Sequence, residues 1–194
     1  MAPKLPKIIL ASASPRRAEL LSRIGVKFTV RPVSVDEIPL DGEEPRDFAL
    51  RMAKEKAERG RKGEDELVIG CDTVVVVDGT ILGKPRDAGE ARTMLKLLSG
   101  RSHSVITAVA LAGERNTADF AETVVEFDPM DEGMIDWYVR TGEPMDKAGA
   151  YGIQGLAALF VRRIEGPYDN IVGLPVNLLA HLLAELGCNI IELF

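Results

Sequence analysis

Three features of the sequence predict an α/β fold. Ile8-Ile9-Leu10 is a short apolar run of strand type, and Ala18, Leu21 and Ile24 follow it at helical spacing until Gly25 stops the pattern. Leu67 to Val77 is a long β run closed by Asp78-Gly79, a dipeptide suited to a tight hairpin. His103 to Ala112 and Thr117 to Phe127 are two more extended stretches, preceded by a helical one. Alternation of the two periodicities is the pattern of helices layered on a sheet. A length of 194 residues suits one domain, residues 1–194, drawn into two lobes.

Composition narrows the function classes. The chain is 46% hydrophobic and 28% charged, ordinary for a globular protein. No apolar run approaches the roughly 18 residues that span a membrane, and Met1 to Lys7 lacks a signal-peptide core, so no membrane partner and a cytoplasmic location are expected. Cys71 and Cys188 are too few and too far apart for a disulfide framework or a zinc site. A net charge of -6 argues against nucleic-acid binding, which needs a broad basic surface. Arg16, Arg17, Lys56, Lys84 and Lys147 nevertheless stand at motif positions, as a pocket for a small anionic ligand requires.

Taken in order, the first strand and helix meet at Ser12-Ala13-Ser14-Pro15-Arg16-Arg17. Ser14 is the expected N-cap and Pro15 the first helical residue. Free N–H groups, two hydroxyls and two guanidiniums then converge at the positive end of a helix, a corner that favours phosphate, an ordinary capped helix with two solvated arginines being the alternative. Lys27 to Val33 reads as a strand with Phe28 and Val30 on its apolar side. Asp36-Glu37 beyond it is a candidate for metal or base work, or a solvated turn. Pro45 opens a helix to about Glu58 whose buried stripe is Phe48, Ala49, Met52, Ala53 and Ala57. Lys56 lies at the edge of that stripe.

After a charged loop, Gly60 to Glu66, Asp72 interrupts an apolar β run. An unpaired carboxylate there costs several kcal/mol by the usual order of magnitude, so Asp72 should face a cation, a cleft or a proton-transfer partner. It is the best catalytic candidate in the chain, a structural hydrogen bond being the alternative. Gly83-Lys84-Pro85 follows the hairpin. Asp87 and Glu90 form a capping box for a helix with Ala91, Met94, Leu95 and Leu98 on its core stripe, ended by Gly100. A helix is expected from Asp131 to Arg140. Neither His103 nor His181 has a partner at metal-ligand spacing.

Glu143 to Gly155 is dense in glycine, as a backbone that approaches a ligand closely needs to be, although a surface loop is the alternative. Gln154 offers a donor and an acceptor suited to a pyrimidine edge, and Tyr151 either stacks or packs. Leu156 to Ile164 reads as a strand, Gly166 to Pro175 as a loop, Asn177 to Leu186 as a helix, and residues 190–194 as a last strand or packed tail.

On Ser12 to Arg17, Asp72-Thr73, Gly83-Lys84-Pro85, Leu98-Ser99-Gly100, Asp146 to Gly155 and Asn170 to Pro175, the chain resembles the Maf family of nucleotide pyrophosphatases over nearly its whole length. The resemblance implies a Maf/inosine-triphosphatase-like fold, with a long twisted mixed β-sheet, flanking helices and two lobes around a central cleft. It implies a hydrolase, with a house-cleaning role, that converts a nucleoside triphosphate to the monophosphate and pyrophosphate using a divalent metal, magnesium or manganese. The loop Ala150-Tyr151-Gly152-Ile153-Gln154-Gly155 matches the branch acting on dTTP and UTP, including some modified pyrimidines. By the same resemblance Asp72 is the base, and Ser12, Arg17, Lys56 and Lys84 bind phosphate. Arg16, Thr73 and Gln154 set specificity, Glu37 with Asp72 serves the metal, and the chain is a homodimer. Cys71 departs from the family's usual small residue, and Ala108 stands where glycine is frequent. The alternatives are preference for 7-methyl-GTP or another purine nucleotide, and a non-catalytic nucleotide sensor in cell-division control.

Overall fold

The computed structural model describes residues 6–193. The strands form a mixed sheet hydrogen-bonded in the order β2 (Phe28–Val30), β1 (Lys7–Leu10), β3 (Glu66–Val77), β5 (Ser102–Ala112), β6 (Thr117–Phe127), β7 (Val161–Glu165), with β4 (Thr80–Leu82) pairing β3. The flanking helices are α1 (Pro15–Arg23), α2 (Pro45–Gly60), α3 (Ala88–Leu98), α4 (Glu132–Arg140), α5 (Tyr168–Val172) and α6 (Val176–Glu185). None is long and apolar enough to cross a membrane.

The chain divides into two compact units. The first comprises residues up to Asp72, Thr107–Ala121 and Gly173 onward; the second comprises Thr73–Ile106 and Glu122–Val172. In the first unit β1 pairs in parallel with β2, Ile8 opposite Phe28, and with β3, Ile8 opposite Leu67. The apolar runs of β1 and β3 pack with Leu21 of α1, Leu111 and Leu179 into one core. Each fully buried Leu or Ile contributes about 1.5–3 kcal/mol. β2 is shorter than its pattern suggested. Pro32 has no N–H to extend the ladder, and Val30 on this edge strand is largely exposed.

α2 buries the expected Phe48, Ala49, Met52, Ala53 and Ala57, and Lys56 with them rather than at the stripe's edge. Gly70 of β3 allows that approach, because a Cβ there would meet the Ala57 nitrogen at 2.5 Å and also the Ala53 carbonyl oxygen. The C-terminal end of α2 is pinned by Arg31. Its guanidinium donates to the Gly60 carbonyl (2.7 Å) and, with both terminal nitrogens, to Glu66 (2.7 and 2.8 Å).

In the second unit the hairpin turns as predicted at Asp78 (φ 50°) and Gly79 (φ 75°), and Val75 pairs with Leu82. Asp87 caps α3 by accepting from the Glu90 N–H (2.8 Å). Glu90 reaches back to the Arg86 N–H rather than to that of Asp87, so the capping box is displaced by one residue. The core here is aromatic: Phe127 lies edge-on to His103 and Tyr151, each 4.9 Å between centroids, and Tyr138 edge-on to Phe160. Leu156 to Leu159 form a 3-10 turn before β7, where a continuous strand was expected, and Tyr168–Val172 form a short helix where a loop was expected. A run of apolar residues as short as Leu156 to Phe160 does not distinguish the two periodicities. Residues 190–193 close as a 3-10 turn rather than a strand.

Candidate active site

The strand-to-helix corner stands where the sequence placed it. α1 starts at Pro15 with Ser14 as N-cap and no acidic residue in its first turn, so its positive end is not neutralised locally. The Ser14 hydroxyl makes no capping bond. The hydroxyl that matters is that of Ser12, which accepts from the Ser14 N–H (3.2 Å) and from Arg17 Nη1 (3.1 Å). Arg17 Nε donates to the Gly173 carbonyl (2.7 Å), so the Asn170–Pro175 motif helps aim the guanidinium. In the other unit Asn170, at the start of that motif, is fully buried and donates to the Val105 carbonyl (2.8 Å) and Thr123 Oγ1 (2.9 Å), a structural role. Arg16, on the same first turn, is half-buried.

Asp72 has the cation that its position demanded. Lys56 Nζ donates to Asp72 Oδ1 (2.6 Å) and to Glu37 Oε1 (2.6 Å), joining two carboxylates through one ammonium. Asp72 is 6% exposed and Lys56 8%, whereas the Glu37 side chain is 46% exposed. Desolvation of such a pair is costly, and removing one partner leaves the other as an uncompensated buried charge. Of the acidic pair Asp36-Glu37, the second residue is the one turned to the site.

Cys71 beside the carboxylate is fully buried. Burial pushes its thiol up to about 11, against the lowering effect of Arg17 and Lys56, so it is an inert neighbour. Among the described residues no group of three or more His, Cys, Asp or Glu could hold a metal ion. Two carboxylates are nevertheless the donor set suited to magnesium, which commonly takes one or two protein carboxylates and completes its shell with water and substrate phosphate.

Ser12, Arg16, Arg17, Glu37, Lys56 and Asp72 belong to the first unit; Thr73, Lys84 and Gln154 belong to the second. Lys84 is exposed, and the Gly83 carbonyl before it accepts from the Gly149 N–H (3.0 Å), which joins the Gly83-Lys84-Pro85 motif to the glycine-rich stretch. Gly149 is left-handed (φ 68°), and a Cβ there would meet Val75 at 2.9 Å. Gln154 is exposed. Tyr151 packs: its hydroxyl is 2.8 Å from His103 Nε2 inside the aromatic core. Lys147, one of the cations grouped above with the anion site, instead donates to the Glu143 carbonyl (2.7 Å) and to Asp146. His103 is buried and His181 exposed.

Sequence reasoning missed two devices of this site, Gly70 under α2 and the Arg31–Glu66 pair. A lone glycine in a strand pattern signalled the first. No local pattern signals a pair 35 residues apart.

A profile described as Maf-like protein matches residues 7–186. A protein of Symbiobacterium thermophilum named dTTP/UTP pyrophosphatase is 48% identical over 185 residues, 94% of this chain and 95% of its own length. One of Clostridioides difficile with the same name is 48% identical over 182 residues, 92% and 94% of the two chains. Among solved structures, the Ham1 protein of Staphylococcus aureus superposes with a TM-score of 0.51 at 15% identity, over 92% of this chain and 98% of its own. A HAM1 protein from Coxiella burnetii gives 0.51 at 17% identity, over 93% and 99%. Both share the fold.

Proposed function

The chain belongs to the Maf family, and from that premise we propose that it hydrolyses dTTP and UTP to the monophosphate and pyrophosphate. The observation that carries the reading is the Asp72–Lys56–Glu37 array, a nearly buried carboxylate held by an ammonium inside an apolar strand, in a chain so similar to proteins named for this activity. Water attacks the α-phosphorus, its proton passes to Asp72, and pyrophosphate departs with the electron pair of the broken P–O bond. Ser12, Arg17, Lys56 and Lys84 bind and neutralise the phosphates, with the α1 N-terminus adding its N–H groups. A divalent cation held through Glu37 and Asp72, magnesium or manganese, supplies further charge neutralisation along the triphosphate when bound. Arg16, Thr73 and Gln154 select the base, Gln154 by pairing with a pyrimidine edge. The reading goes with a cytoplasmic homodimer.

Purified protein with magnesium, assayed on dTTP, UTP, CTP, purine triphosphates and 7-methyl-GTP, tests this. Fastest pyrophosphate release from dTTP and UTP is expected, and Asp72→Asn should lower kcat by about 10³-fold with nucleotide binding retained. A panel led by purines would refute the assignment of Gln154. Full turnover by Asp72→Asn would refute that of the base.

A further inference from the structure

The turn that carries Gln154 is tied on one side to the Glu143 carboxylate and on the other to the Tyr138 phenol, which donates to that carboxylate. Glu143 opens the 3-10 turn Glu143–Asp146 after Gly142, which is left-handed at φ 77°. Its Oε2 accepts from the Leu156 N–H (3.0 Å), and its Oε1 accepts from the Tyr138 hydroxyl (2.7 Å) and the Ala157 N–H (3.4 Å). The Tyr138 oxygen in turn accepts from the Gly152 N–H (3.1 Å). Backbone groups before and after Gln154 therefore end on the same carboxylate–phenol pair.

The Glu143 and Lys147 side chains lie close over the two glycines of this segment. A Cβ on Gly155 would fall on the Glu143 carboxylate, and one on Gly152 would meet Lys147 Cε at 2.6 Å. Lys147 itself holds the Glu143 carbonyl. Burial and the Glu143 hydrogen bond both push the Tyr138 phenol well above its ordinary value, so it remains a donor throughout the neutral range. Tyr151 and Ile153 are buried while Gln154 between them and Gly155 is exposed, so the anchored backbone turns that one side chain outward. Closing the turn needs only the Gly155 N–H to the Gly152 carbonyl (2.9 Å). The carboxylate adds a fixed direction.

We infer that Glu143 and Tyr138 are positioning residues for base selection, holding the Gln154 turn in the one shape that reads the pyrimidine edge. This rests on the dTTP/UTP reading above. The test compares wild type with Glu143→Ala, Glu143→Gln and Tyr138→Phe, by steady-state kinetics on dTTP, UTP and GTP and by amide hydrogen exchange. For Glu143→Ala, KM for dTTP and UTP should rise about tenfold with kcat within about threefold. The pyrimidine-to-purine ratio of kcat/KM should fall about tenfold. Glu143→Gln, whose amide oxygen still accepts one N–H, should lie between. Exchange at Gly152, Leu156 and Ala157 should quicken while that of α3 does not.

Unchanged KM and preference in folded Glu143→Ala, or a loss confined to kcat, would overturn the inference. If Glu143→Ala does not fold, Tyr138→Phe decides by the same criteria, since it keeps the ring in the core. If wild type turns over neither dTTP nor UTP, the functional reading fails, and exchange still decides the clamp: unchanged rates at those three amides would overturn it separately.

Discussion

Lys56 balances two carboxylates, and its loss would leave one of them buried without a cation. Lys56→Met should cost about 3–5 kcal/mol of stability at neutral pH, the usual range for breaking a buried pair. The double variant Lys56→Met/Asp72→Asn should recover part of that, because the residual penalty is the uncompensated charge; chemical denaturation of the three proteins measures it. A second residue links stability to pH. Burial lowers His103 from 6.5 to about 4, and its Nδ1 has no hydrogen-bond partner. As pH falls the unfolded chain takes up this proton first, so the contribution of neutral His103 is complete above about 6.5 and is lost between there and about 4. His103→Gln, which does not titrate and retains a partner for the Tyr151 hydroxyl, should flatten the denaturation midpoint across that window.

At the scale of elements, the site depends on how closely α2 lies on β3, since α2 carries Lys56 and β3 carries Asp72. Gly70 sets that distance. Gly70→Ala places a methyl against backbone atoms of Ala53 and Ala57, which cannot yield as a flexible side chain would. Destabilisation of about 1–3 kcal/mol is expected from overpacking. A loss of kcat of about 10²-fold is also expected, because Lys56 is displaced from Asp72. Thermal unfolding and dTTP kinetics report the two effects. The α2 periodicity, the Ser14-Pro15 start and the Asp78-Gly79 hairpin were legible because their causes are local. The lysine on Asp72 was not, because it required α2 and β3 to be packed first. Arg31–Glu66 was hidden for the same reason: Glu66 read as the end of a charged loop, and Arg31, just past β2, meets it only in the folded chain. Glu143 lies among turn residues, where no periodicity marks an anchor.

Over the whole molecule, the acidic chain keeps Arg16, Arg17, Lys56 and Lys84 at motif positions, a charge distribution suited to a triphosphate rather than to a polynucleotide. Chelation of divalent ions should abolish turnover, and magnesium or manganese should restore it, if the two carboxylates work with a cation. The motifs marked Ser12, Arg16, Arg17, Asp72, Thr73, Lys84 and Gln154 as candidates before the fold was known, while Glu37 and Lys56 lie outside them and owe their roles to the family resemblance. Which unit each one belongs to became clear only from the fold. In the proposed reaction water attacks the α-phosphorus of dTTP and UTP. Turnover in ¹⁸O-labelled water tests it most directly. Attack at the α-phosphorus puts the label in the nucleoside monophosphate, with unlabelled pyrophosphate released; label in pyrophosphate, or no cleavage of either nucleotide, would rule that reaction out.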